Sequence, residues 1–145
     1  MSSCGDSHTD GIRYLPVADI VTTNRRMLEL TPEEPFGIID QGALESAQQR
    51  PCTHRYYEQT DDIFTLAAVL GEGLVQNHCF LNANKRTAAE CVYVFLLLNG
   101  WELTAPGHEV VTIYEGVATH EYTAEELADW LAGWSREFDT SALND

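Results

Sequence analysis

Lysine is almost absent: Lys85 is the only one in 145 residues, and together with seven arginines it faces 23 Asp and Glu, for a net charge of −15. Without a basic surplus there is little to neutralise phosphates along a polymer, which argues against direct nucleic-acid binding. The same balance argues against docking on an anionic membrane surface. Long hydrophobic runs are missing too. The longest, residues 92–98, is far short of the roughly 20 residues that a membrane span needs. The first eight residues have neither the basic nor the apolar region of a secretory signal, so the expectation is a cytoplasmic protein. Cysteine pairs are lacking: Cys4, Cys52, Cys79 and Cys91 show no C-x-x-C spacing, which predicts reduced thiols rather than a zinc module. Disorder is excluded by a hydrophobic content of 44% with 10% aromatics.

What remains is helical. Neither repeats nor strand alternation appear, and the length suits one domain. The reading is an all-α, compact bundle of about six helices over residues 12–138, between a flexible N-terminal tail, 1–11, and a C-terminal tail, 139–145. Pro16 opens the first helix, which ends before the two prolines of residues 31–35. Residues 36–40 read as a short extended segment. Residues 41–50 form a helix expected to stop before Pro51, leaving 52–59 as a loop with Tyr56 and Tyr57. Thr60 is expected to cap the next helix, with Asp61 and Asp62 in its first turn, and Gly71 and Gly73 in its interior suggest close helix packing. Residues 85–99 form a second strong helix that is apolar nearly all round through 92–98, the pattern of a central helix, and Gly100 is the stop signal. A further helix is placed at 108–119. The last helix starts at Thr123, with Glu126 completing a capping box and Tyr122 and Leu127 forming a staple.

The chemistry concentrates in residues 78–87, between the two strongest helices. A loop feeding a helix start presents unsatisfied N–H groups and a positive dipole end, which is an anion site in itself. Lys85 and Arg86 add two cations where cations are electrostatically disfavoured, which points to a bound anion that compensates them. Asn82 and Asn84 supply carboxamides suited to phosphate oxygens or a metal-bound water. His78, at the far end of the loop, is a group that exchanges a proton near neutral pH.

His78, Phe80, Asn82, Ala83, Asn84, Lys85 and Arg86 resemble the signature of the Fic/Doc (Fido) family, H-x-F-x-[D/E/N]-[G/A]-N-[G/K]-R, in its death-on-curing branch, where lysine replaces a glycine. A second block agrees: Gly37, Asp40, Gly42, Leu44, Glu45, Ser46, Ala47, Arg50 and Pro51 resemble the branch's upstream pattern G-x-R-D-x-G-L-L-E-S-A-x-x-R-P. The resemblance implies a toxin of a toxin–antitoxin pair that transfers the γ-phosphate of ATP to a protein hydroxyl, a threonine of a translation elongation factor being the family's target. It implies His78 as the catalytic base, Asn84, Lys85 and Arg86 as phosphate-binding residues, Asn82 on the Mg²⁺ position, and a Phd-like antitoxin as partner. The alternatives are a nucleotidyltransferase that attaches AMP and a catalytically weak antitoxin-binding domain. Two positions depart from the pattern. Asn82 replaces the carboxylate of many members, so its contact with the metal would be weak or indirect, and Ile39 replaces the usual arginine.

Overall fold

The computed structural model describes residues 11–144. The expected N-terminal tail and Cys4 thus lie outside the described residues, apart from Gly11. Within them are six α-helices: α1 (Val17–Leu28), α2 (Gln41–Glu58), α3 (Ile63–Gln76), α4 (Asn84–Leu98), α5 (Gly107–Ala118) and α6 (Ala124–Gly133). The all-α reading holds, with one small addition. Strands β1 (Trp101–Leu103) and β2 (Ser135–Glu137) pair antiparallel, Glu102 opposite Arg136, and those two side chains form an ion pair at 2.8 Å. Three-residue strands are too short to carry a period, which is why the sequence pattern does not reveal them. Residues 140–144 form a 3₁₀ helix near α4.

The central helix is α3, not α4. It packs against α2, α4, α5 and α6, and nine of its 14 residues are buried. Its two glycines make this close packing fit. A Cβ at Gly71 would stand 3.0 Å from Val92 of α4, and one at Gly73 would stand 3.2 Å from Ala47 of α2. The apolar 92–98 stretch of α4 leaves Val94, Leu97 and Leu98 only partly covered. Leu44, Leu66, Leu70, Phe95, Val117 and Leu131, contributed by α2 to α6, are each no more than 2% exposed and form the core.

Pro51 does not end α2. The helix continues for another two turns to a left-handed Gln59. A proline inside a helix loses one hydrogen bond and disfavours the local geometry by about 3 kcal/mol. Here Pro51 and Cys52 are both buried, so packing overrides the local preference. Cys52 is disulfide-bonded, contrary to the expectation of reduced thiols, whereas Cys79 and Cys91 are free and buried. The cap of α3 is Asp62, whose carboxylate accepts from Phe64 N, and the Thr60 hydroxyl instead accepts from Asp62 N. The capping box of Thr123 and Glu126 forms as its spacing predicts.

The segment after α1 sets the stage for the site. Ile38 bridges antiparallel to Phe80, with Ile39 N donating to Cys79 O and Leu81 N to Gly37 O, both at 2.8 Å. An extended stretch near residue 38 is therefore present, and it pairs with residues 79–81 of the loop that joins α3 to α4. None of the described helices is long and apolar enough to cross a membrane.

Candidate functional site

His78, Asn82, Ala83, Asn84, Lys85 and Arg86 line one cleft of about 340 Å³, closed by Val75 of α3 and Ala118 of α5. The five polar residues singled out from the sequence are thus brought together. They are not used alike.

The N-terminus of α4 opens into this cleft. Asp40, Asp62 and Thr123 cap their helices with a side-chain oxygen; Pro16 and Pro106, before α1 and α5, have none, and neither does Ala83, the cap of α4. Ala83 adopts φ 66° and ψ 30°, a left-handed conformation that an L-residue with a Cβ rarely takes. A left-handed residue followed by a right-handed one turns successive N–H groups toward a common point, the concavity that binds anions. Among the described residues the N–H groups of Ala83, Asn84, Lys85 and Arg86 have no acceptor, and the first to bond is Thr87 N, to Ala83 O at 2.9 Å.

The loop is braced from within by Asn84. Its Oδ1 accepts from Phe80 N at 3.0 Å and its Nδ2 donates to Phe80 O at 2.8 Å. The carboxamide is thus spent on the loop, so what Asn84 offers a ligand is its backbone N–H. Asn82 is half engaged: Nδ2 donates to Pro35 O at 3.0 Å, leaving Oδ1 as its uncommitted atom. Phe80 is 2% exposed and meets Phe36 at a ring-centroid distance of 6.4 Å, anchoring the loop in the core.

The two cations differ. Lys85 is exposed and makes no ion pair among the described residues. Arg86 donates to Glu34 Oε1 at 2.7 Å, to Met27 O at 3.1 Å and to the Thr31 hydroxyl at 3.2 Å. Glu34 is held below the usual carboxylate range by the Thr31 hydroxyl and then by the Arg86 guanidinium. The expectation that a bound anion must compensate both cations is corrected accordingly: Arg86 is compensated from within the chain. Glu34 and Thr31 sit in the proline-flanked turn that the sequence marks only as a helix breaker, and no pattern in it announces the pairing.

His78 is exposed, with φ 51°, and its ring has no hydrogen-bond partner among the described residues. The imidazole is therefore uncommitted and open to solvent. Its neighbour Cys79 is no rival nucleophile, because burial pushes the thiol up to about 11. No group of three His, Cys, Asp or Glu side chains among the described residues could hold a metal. The donor set fits Mg²⁺ only as an ion carried in on a ligand's phosphates, with one neutral oxygen available from Asn82.

Beside the cleft, and sharing Lys85 and Arg86 with it, lies an apolar hollow of about 150 Å³ between α4 and α5, walled by Ala89, Val110, Val111 and Tyr114. A cleft rimmed by free N–H groups and an apolar hollow thus adjoin.

The sequence profile of the Fic/DOC family matches residues 14–96. The chain is 32% identical over 95 residues to a protein named protein kinase doc from Escherichia phage P1, spanning 66% of this chain and 75% of that protein. It is 31% identical over 101 residues to a protein named toxin Doc from Mycolicibacterium smegmatis, spanning 68% of this chain and 78% of that one.

Proposed function

The chain belongs to the Fic/DOC family, and from that premise we propose that it is a Doc-like toxin that moves the γ-phosphate of ATP to a protein hydroxyl. The observation that carries this reading is the junction at Lys85: the uncapped α4 turn suits a polyphosphate, and the adjoining apolar hollow suits the body of a nucleotide. The name of the phage relative supports a kinase over a nucleotidyltransferase. In this reading the turn's N–H groups and Lys85 bind and orient phosphate, which is most of what phosphoryl transfer asks of a protein. His78 takes the proton of the attacking hydroxyl as the new oxygen–phosphorus bond forms and ADP leaves with the broken one. Mg²⁺ bound to the phosphates would neutralise their charge, and Asn82 Oδ1 is the signature's side-chain oxygen that would hold it. A Phd-like antitoxin and a threonine of a translation elongation factor are the partner and target proposed with it, in keeping with the toxin relative.

The test is incubation of the purified protein with cell lysate and, in parallel, ATP labelled at the α or the γ position. Label transferred to protein from the γ position alone is expected. Transfer from the α position would make it a nucleotidyltransferase, and absence of both would leave a binding domain.

A further inference from the structure

Asn24 is fully buried on the face of α1 that also buries Ile20 and Leu28. A carboxamide among apolar side chains is unfavourable unless its hydrogen bonds are made. Both hydrogens of Nδ2 are used: one goes to Asn82 O and one to Thr87 Oγ1, each at 2.9 Å. Oδ1, in contrast, is buried with no partner among the described residues. A carbonyl only accepts, so the nitrogen must face Asn82 O, and the group stays where it is for its donors, at the expense of its acceptor.

The two bonds bracket residues 83–86, the uncapped turn of α4. Asn82 O belongs to the peptide unit whose other end is the Ala83 N–H. That unit is planar and trans, so its N–H points opposite to its carbonyl. A carbonyl drawn toward α1 turns the Ala83 N–H away from α1, and Ala83 lines the cleft, to which α1 contributes no residue. We propose that Asn24 is a positioning residue: without touching substrate, it fixes the peptide plane between Asn82 and Ala83 so that the Ala83 N–H is presented to a bound phosphate. Its functional meaning rests on the phosphate-site reading above; its structural claim does not.

The experiment uses ¹⁵N-labelled full chain and two measurements: the residual dipolar coupling of the Ala83 N–H, which reports its orientation without a ligand, and amide shifts during titration with inorganic pyrophosphate. The variants are Asn24→Leu, with Asn24→Ala as the less bulky second, and Thr87→Val, which removes one of the two bonds and keeps the other. Thr87→Val is expected to lower the melting temperature while leaving the Ala83 coupling and the pyrophosphate affinity as in the parent. Asn24→Leu or Asn24→Ala is expected to change the coupling and to weaken pyrophosphate by roughly tenfold to a hundredfold, the factor for one charge-assisted hydrogen bond. An unchanged coupling in a folded Asn24 variant overturns the proposal, as does a loss of affinity in all variants that merely tracks lost stability. Failure of both Asn24 variants to fold would assign the residue to the core and overturn it too. If the parent ignores pyrophosphate while the coupling still moves, the phosphate-site reading falls and the hold of Asn24 on the peptide plane stands.

Discussion

The Arg86 guanidinium lies 2.7 Å from the Glu34 carboxylate, so a cation at the start of α4 is neutralised by the turn that follows α1. Lys85, one position earlier, has no such partner among the described residues. Two adjacent cations therefore have different duties.

Lys85→Ala is expected to weaken ATP binding by about 1.5–3 kcal/mol, the value of a lost charge-assisted hydrogen bond, with no fall in melting temperature. Arg86→Ala should lower the melting temperature, because Glu34, Thr31 and the Met27 carbonyl all lose their donor. Calorimetric titration and thermal melts on the same preparations separate the two. Equal melts for both variants would mean that the Glu34 pairing does not hold the fold.

The same pair has a pH signature. Glu34 is held below its ordinary value of 4.5 in the folded chain, so its contribution to stability is full above that value and is lost as pH falls through the lower folded one. Glu34→Gln is therefore expected to melt below the parent at neutral pH, with the gap closing under acid conditions. A gap independent of pH would show that the carboxylate charge plays no part.

His78→Ala is expected to cut the rate of transfer by ~10²–10⁴-fold while leaving ATP affinity nearly unchanged, since a base acts in the transition state and not on ground-state phosphate. Single-turnover rates and equilibrium binding measured side by side decide it. A parallel loss of binding would place the ring on the nucleotide.

Asn82→Asp should steepen the dependence of activity on Mg²⁺. The added charge repels ATP when metal is scarce and contributes a hard ligand when it is abundant. Metal titrations of parent and variant at fixed ATP ought to cross. Superimposable curves would remove Asn82 from the neighbourhood of the metal.

Gly116→Ala is a test of packing alone. A Cβ there would overlap the Cδ2–Cε2 edge of the Tyr122 ring. The expected loss is about 1–3 kcal/mol in a urea titration.

Much of this was legible in the sequence. Pro16, Gly100 and the Thr123–Glu126 box marked helix ends that the structure keeps, and residues 78–86 stood out as a cluster, most of which the structure gathers at one cleft, because they are local in the chain. What escaped was non-local. The carry-through of α2 past Pro51 depends on burial, which a local rule about proline does not weigh. Arg86 finds its counter-charge 52 positions away, and Asn24 reaches across 58, distances at which spacing carries no signal. Asn84 was assigned to phosphate because of its residue type, and only geometry reveals that its amide is committed to Phe80.

The position of α3 has a consequence for the order in which the protein comes into being. The helix is enclosed on one side by α6, so its inner surface stays uncovered until the chain beyond residue 123 has been synthesised and docked. Every residue of the cleft, from Val75 to Ala118, is translated earlier than that lid of the core. The signature residues are therefore laid down before the packing that holds them in register can be complete.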